Sequence, residues 1–377
     1  MYSSPDSKPV IPYISQIQPH HAFRYIPGFD ILRGFAVLLV LLLHGSYGFF
    51  KGGWIGVDLF FVLSGYLITS LLLKEYYDSG KVIIYKFYIR RALRLFPALI
   101  VCIILANILW PFTKFSPEAN QTQASIAALL YFTNLMPGSI AGNLAHLWSL
   151  SVEEHFYLFW PVIGSLLLYR ISSRMAIVIL IFLIIAVSVF RIYVYNFSTD
   201  FSNGLISIDS NRFTFCKIDS ILMGAVLSFI LSKRITEYPI IKNKIPTIFI
   251  TILLTGFVII LMTLSEYNIY WRNGGFVITN LACVFTVFLA INSSAHYFFS
   301  NKFLRWLGTR SYGIYVYHFP IFLVLEGFRQ NHNTGNFLII TLIRFGLTFF
   351  IAELSYKYLE QPILKFKKNF ERTIIQA

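Results

Sequence analysis

Apolar stretches of roughly 18 residues or more recur along almost the whole of this chain, and each is long enough as a helix to cross a bilayer. Of its 377 residues, 56% are hydrophobic, only 13% are charged and 38 are Phe, a balance that a soluble domain would not survive. No stretch is left over for a sizeable soluble domain. The expected fold class is all-α: a polytopic integral membrane protein with about ten transmembrane helices.

The hydropathy pattern places spans near 29–48, 54–73, 95–113, 147–169, 175–195, 216–232, 246–264, 275–292, 312–328 and 337–359. This divides the chain into a polar N-terminal segment 1–28, a transmembrane domain 29–359 and a basic tail 360–377. The N-terminal segment carries Pro5, Pro9, Pro12 and Pro19 and lacks the basic, apolar, cleavable order of a secretory signal, so the first span is expected to act as an uncleaved anchor. The net charge of +14 raises the question of nucleic acid, but its distribution answers it. Lys8 and Arg24, the basic loop from Lys74 to Arg94, Arg170 and Arg174, the run from Lys233 to Lys244, Lys302, Arg305, Arg310 and the tail all fall on one side. The other side holds Lys51, Lys114, Arg212, Lys217, Arg272 and Arg329. That asymmetry is the positive-inside pattern: it predicts both termini in the cytoplasm of a multi-pass protein of the cell membrane, the lipid bilayer as partner, and no nucleic acid. Cys102, Cys216 and Cys283 are far apart in or beside apolar runs and read as small apolar residues.

Residues 124–136, ASIAALLYFTNLM, are apolar but short, and counting them as a span would throw every later basic loop to the wrong side. A re-entrant or interfacial helix is expected there. The outer loops 114–146 and 196–215 are long, and long ordered connections often carry function. No internal repeat is visible, which weighs against a transporter built from duplicated halves.

Ionisable residues inside spans are costly and therefore informative. Arg33 and His44 are eleven steps apart on the first helix, about 20° from the same face and about 16 Å apart along the axis. With the N-terminus inside, Arg33 lies near the cytoplasm and His44 towards the outer half. The next cytoplasmic loop runs into KFYIRRALRLFP, where Arg91 and Arg94 share a helix face. With Arg33 they form a plausible seat for a polyphosphorylated ligand, since guanidinium binds phosphate through two parallel hydrogen bonds. The alternative is a plain topology signal. Asp58, shortly after Gly52, Gly53 and Gly56, is placed to orient the His44 imidazole and leave its other nitrogen as a base, or else it caps a helix or faces water.

A second constellation is AHLWSLSVEEHFYLFWP, where Glu153, Glu154 and His155 open an aromatic span on its outer side. Adjacent carboxylates raise one another's pKa. The spacing of His146 and His155 matches no standard zinc motif, and no metal is expected. Asp219 is read as a local salt bridge with Lys217, His318 as a satisfied interior histidine, and Glu360 as a partner for a cytoplasmic arginine. Tyr131, Trp148, Phe156, Tyr157 and Trp160 read mostly as an interfacial belt, with stacking on sugar rings as the alternative.

Six segments in order, FDILRGFAVLLVLLLH, GWIGVDLFFVLSGYLIT, FYIRRALRLFP, LWSLSVEEHFYLFWP, SYGIYVYHFP and SYKYLEQP, resemble the membrane-bound acyltransferase 3 family, which includes O-antigen and exopolysaccharide O-acetylases. The resemblance covers about residues 27 to 363. The family's pattern of a basic residue, ten residues and His falls on Arg33 and His44, its paired arginines on Arg91 and Arg94, and its Trp-Ser-Leu stretch on Trp148, Ser149, Leu150 and Glu153. Two features depart from it. His155 stands where Gln is usual, and many relatives add a soluble hydrolase-like domain after the last span, so the membrane domain alone or a separate partner is expected to complete transfer.

The resemblance implies an O-acyltransferase that uses acetyl-CoA as co-substrate and a carbohydrate or glycolipid as acceptor. Arg33, Arg91 and Arg94 would hold the donor's phosphates, His44 would act as general base, and Asp58 or Glu153 would orient it. A covalent acyl-histidine is the competing route. The alternative from another class is a polytopic glycan or lipid transporter with Arg33 and His44 lining its path.

Overall fold

The computed structural model describes residues 26–46, 48–113, 118–197, 201–202, 207–234, 274–292, 301–332 and 337–367. The N-terminal segment to residue 25, the expected span 246–264 and the tail from residue 368 lie outside the described residues.

Helices dominate. They are α1 (Pro27–Gly45), α2 (Ile55–Ser79), α3 (Ile84–Leu109), the short α4 (Gln121–Leu129) and α5 (Gly138–Ala141), then α6 (Trp148–Arg170), α7 (Ser173–Phe197), α8 (Thr214–Arg234), α9 (Gly275–Asn292), α10 (Lys302–Thr309), α11 (Ser311–His332) and α12 (Phe337–Ser355). A π-helical turn, Tyr356–Glu360, joins α12 to α13 (Gln361–Lys367). The strands described are two residues each, with Phe201 opposite Ile208. Six of these helical segments are long and apolar enough to cross a membrane: Pro27–Gly45, Lys51–Ser79, Ile84–Phe112, Ser173–Asn196, Thr214–Ser232 and Phe337–Lys365. The chain is therefore a polytopic α-helical membrane protein. Helices α6, α9 and α11 lie on further expected spans.

Two boundaries differ informatively from expectation. Helix α3 starts at Ile84, well before the expected span at 95, and keeps Pro97 inside it. The basic stretch 84–94 is helical, and its charges hide that from a hydropathy reading. In the expected re-entrant region, α4 runs only Gln121–Leu129, capped by the Asn120 side chain accepting from the Gln123 N–H at 3.0 Å. Nine helical residues rise about 14 Å, too little to cross the hydrocarbon.

Packing follows membrane rules, with glycine where helix backbones meet. A Cβ on Gly65 of α2 would run into the Ile221 carbonyl of α8, and one on Gly224 would meet the Val62 carbonyl. The same reciprocity joins α1 to α10, where Gly34 abuts the Leu304 carbonyl and Gly308 the Asp30 carbonyl. Around this interior the surface is apolar. Val178, Phe182, Ile185 and Val189 of α7 and Leu338, Leu342 and Phe350 of α12 are all exposed, as lipid-facing side chains should be.

Candidate functional site

Helices α1, α2, α3, α6 and α11 enclose a cavity of about 340 Å³. Arg33, Arg91 and Arg94 all line it, together with Glu153, Ser64, Tyr157, Ser149 and Tyr315. Arg33 comes from α1, where Asp30 one turn earlier stands 3.8 Å from its guanidinium. Arg91 and Arg94 come from the early part of α3. Arg91 is held from α6: its Nε lies 3.4 Å from Glu154 Oε1, and its guanidinium carbon sits 3.5 Å above the Tyr157 ring. Arg94 has no hydrogen bond or ion pair within the described residues. Glu153 reaches α2, where the Ser64 hydroxyl donates to its Oε1 at 2.6 Å. The cavity thus gathers three guanidiniums, one of them without a contact ion pair among the described residues, a donor set suited to a phosphorylated anion.

His44 and Asp58 are not in that cavity wall. Asp58 does not orient His44. Its side chain is sealed in α2, and Oδ1 takes a 2.8 Å hydrogen bond from Lys217 Nζ of α8. Lys217 therefore does not pair with Asp219, whose Oδ2 accepts instead from Asn280 Nδ2 at 3.0 Å. Residues two apart on a helix point to different sides, so the sequence neighbours go to different helices.

The partner of His44 is His318. His318 Nε2 lies 3.2 Å from His44 Nδ1, which is also 3.1 Å from the Val40 carbonyl. His146 stands edge-on to His318 with ring centroids 5.2 Å apart. These three imidazoles come from α1, α11 and the 3-10 turn Gly142–Leu147, and spacing along the chain gives no sign that they meet. Their separation from the cavity is small in covalent terms. Tyr315, a cavity residue, bonds Ser149 through its hydroxyl at 2.5 Å, donates to the His146 carbonyl at 2.7 Å, and lends its own carbonyl to His318.

Other expectations are settled by packing. Phe156, Tyr157 and Trp160 do not form an interfacial belt. They are buried, Tyr157 beneath Arg91 and Trp160 donating from its indole to Thr69 at 2.9 Å, because they lie on the inward face of α6, whose other face exposes Leu158, Phe159 and Ile163. His155 bonds Thr214 at the start of α8 through Nδ1 at 2.7 Å. Glu360 accepts from Ser355 at 3.2 Å, and Arg94 and Arg310 act on it electrostatically without a contact ion pair among the described residues.

Known proteins place this architecture. The family described as "Acyltransferase domain" matches residues 26–353. O-acetyltransferase OatA of Staphylococcus aureus, in strains NCTC 8325 / PS 47 and MRSA252, is 33% identical over 374 residues, covering 93% of this chain. The chain spans 59% of the length of those relatives. No solved structure matches. With its six expected segments carried on one helical bundle, the chain belongs to the acyltransferase 3 family and is a multi-pass protein of the cell membrane.

Proposed function

We propose that this chain is an integral membrane O-acetyltransferase that moves an acetyl group from acetyl-CoA to a hydroxyl of a cell-surface glycan or its lipid-linked precursor. The observation that carries this reading is the cavity lined by Arg33, Arg91 and Arg94, in which Arg94 has no ion-pair partner among the described residues. A CoA donor supplies phosphates for that cluster. The names of the relatives, which are O-acetyltransferases, and the basic loops that put this end of the bundle in the cytosol favour the same direction.

In this mechanism the donor's phosphates sit against the arginines and its extended arm runs along α1 towards His44, an axial distance of about 16 Å. Glu153, tied to Ser64, fixes the polar wall beside that path. His44 takes the proton of the acceptor hydroxyl, the oxygen attacks the thioester carbonyl, the carbon–sulfur bond breaks, and the CoA thiolate leaves with the proton returned by the imidazolium. The acceptor approaches from the outer side, where α1 ends.

The test is the full chain in nanodiscs with acetyl-labelled CoA and a panel of soluble oligosaccharides. Ester-linked label on a sugar is expected, with loss of transfer in His44→Ala that still inserts normally. Unchanged transfer in that variant rejects the role of His44. Labelled protein in the absence of any acceptor would replace direct transfer by an acyl-histidine route.

A further inference from the structure

We propose that His318 is the positioning residue that sets the tautomer of His44, presenting its Nε2 as the basic nitrogen. This rests on the reading of His44 as general base and adds to it a residue from the far end of the chain. The reasoning starts from carbonyl oxygens, which can only accept. The Tyr315 carbonyl is 2.5 Å from His318 Nδ1, so that nitrogen carries the proton. In a neutral imidazole the other nitrogen is then an acceptor, which makes His318 Nε2 a lone pair aimed at His44 Nδ1, 3.2 Å away. The Val40 carbonyl, 3.1 Å from the same His44 nitrogen, shares that hydrogen from one turn back on α1, and His318 is the acceptor that fixes the ring from another helix. His44 Nδ1 therefore donates to both, and the lone pair of its neutral ring is on Nε2.

The arrangement also steadies the product of proton abstraction. When His44 Nε2 accepts the hydroxyl proton, the new charge on the ring is shared with Nδ1, whose hydrogen already points at two acceptors. His146 walls His318 on another side without competing for its lone pair, because its own Nε2 is 3.1 Å from the Val316 carbonyl and so donates there. His318 itself is sealed from solvent, so no water substitutes for Nε2 at His44.

Three substitutions separate this from a packing role. In His318→Gln the amide oxygen stands near the place of Nε2 and keeps an acceptor for His44. In His318→Asn the side chain reaches only as far as Nδ1, and His318→Leu has no polar atom. Each full-length variant is assayed in nanodiscs for CoA release from acetyl-CoA with the oligosaccharide panel. The expected result is kcat lower by roughly 100-fold in Leu and Asn, with recovery to within about tenfold of the parent in Gln and KM for acetyl-CoA unchanged throughout, the size expected for a base held in the wrong state. Gln as slow as Asn, or Leu as fast as the parent, would overturn the proposal while leaving His44 in place. If Leu fails to insert, the Gln and Asn pair decides alone. Full activity in His44→Ala would remove the underlying reading and this one with it.

Discussion

Lys217 Nζ lies 2.8 Å from Asp58 Oδ1, and both side chains are almost wholly buried between α2 and α8. Oδ2 of Asp58 has no hydrogen-bond partner among the described residues, so the lysine is what neutralises this carboxylate. Removing one member leaves a bare charge in an apolar interior, whereas removing both leaves none. Lys217→Met is expected to destabilise the fold by about 3–5 kcal/mol, and Asp58→Asn combined with Lys217→Met to recover most of that loss. Thermal unfolding in detergent across the four-member cycle measures the coupling; additive effects would show that the pair does not hold the helices together.

The close approach of α2 and α8 makes a second forecast. Ala at Gly65 drives a methyl into the Ile221 carbonyl, and the same methyl at Gly48, where φ is +92° and nothing lies within 4 Å, meets open space. Gly65→Ala should cost several kcal/mol and lower the yield of folded protein, while Gly48→Ala should cost only the backbone strain of about 1 kcal/mol. Fluorescence-detected size exclusion after a heat step ranks the two, and equal melting would contradict the packing argument.

For the donor site, Arg94 is the more informative arginine because, among the described residues, no carboxylate stands within ion-pair distance of it, Glu360 and Glu153 acting on it only from further away. Arg94→Ala should raise KM for acetyl-CoA about tenfold and leave kcat nearly unchanged, the signature of a contact made equally in the ground and transition states. Its loss should also flatten the dependence of KM on salt. If KM stays put, the phosphates bind elsewhere.

Membrane orientation is open to cysteine chemistry, since Cys102, Cys216 and Cys283 are all buried and should stay silent to a membrane-impermeant maleimide. Lys81 and Phe49 are exposed at opposite ends of α2. In intact cells Phe49→Cys should label and Lys81→Cys should not, with the order reversed in inside-out vesicles. The opposite pattern would invert the topology and place the arginine cavity outside the cytosol.

Much of the bundle was legible along the chain because burial in lipid demands long unbroken apolar runs. The limits of α7, α8 and α9 stand close to where those runs put them, while α2 runs six residues past its expected end. What stayed hidden was hidden for a physical reason in each case. The helical stretch from Ile84 to Arg94 is too charged to look like membrane, and Phe156, Tyr157 and Trp160 look like interface residues until packing shows them on the inward face of α6. Asp219 is close to Lys217 in sequence, but residues two apart on a helix face different neighbours, and the two side chains bond Asn280 and Asp58 instead.

Class and family, the helical bundle, and the joint placing of Arg33 and His44 on one face of α1 all follow from local properties: hydropathy, helical period and motif order. The partners of the polar groups do not. A desolvated donor or acceptor must find a mate, and which mate it finds depends on which helices touch. That choice gave Asp58 to Lys217, Arg91 to Glu154 and His44 to His318, pairs separated by 159, 63 and 274 residues. No pattern along the chain encodes such contacts, because they arise from the packing of whole helices.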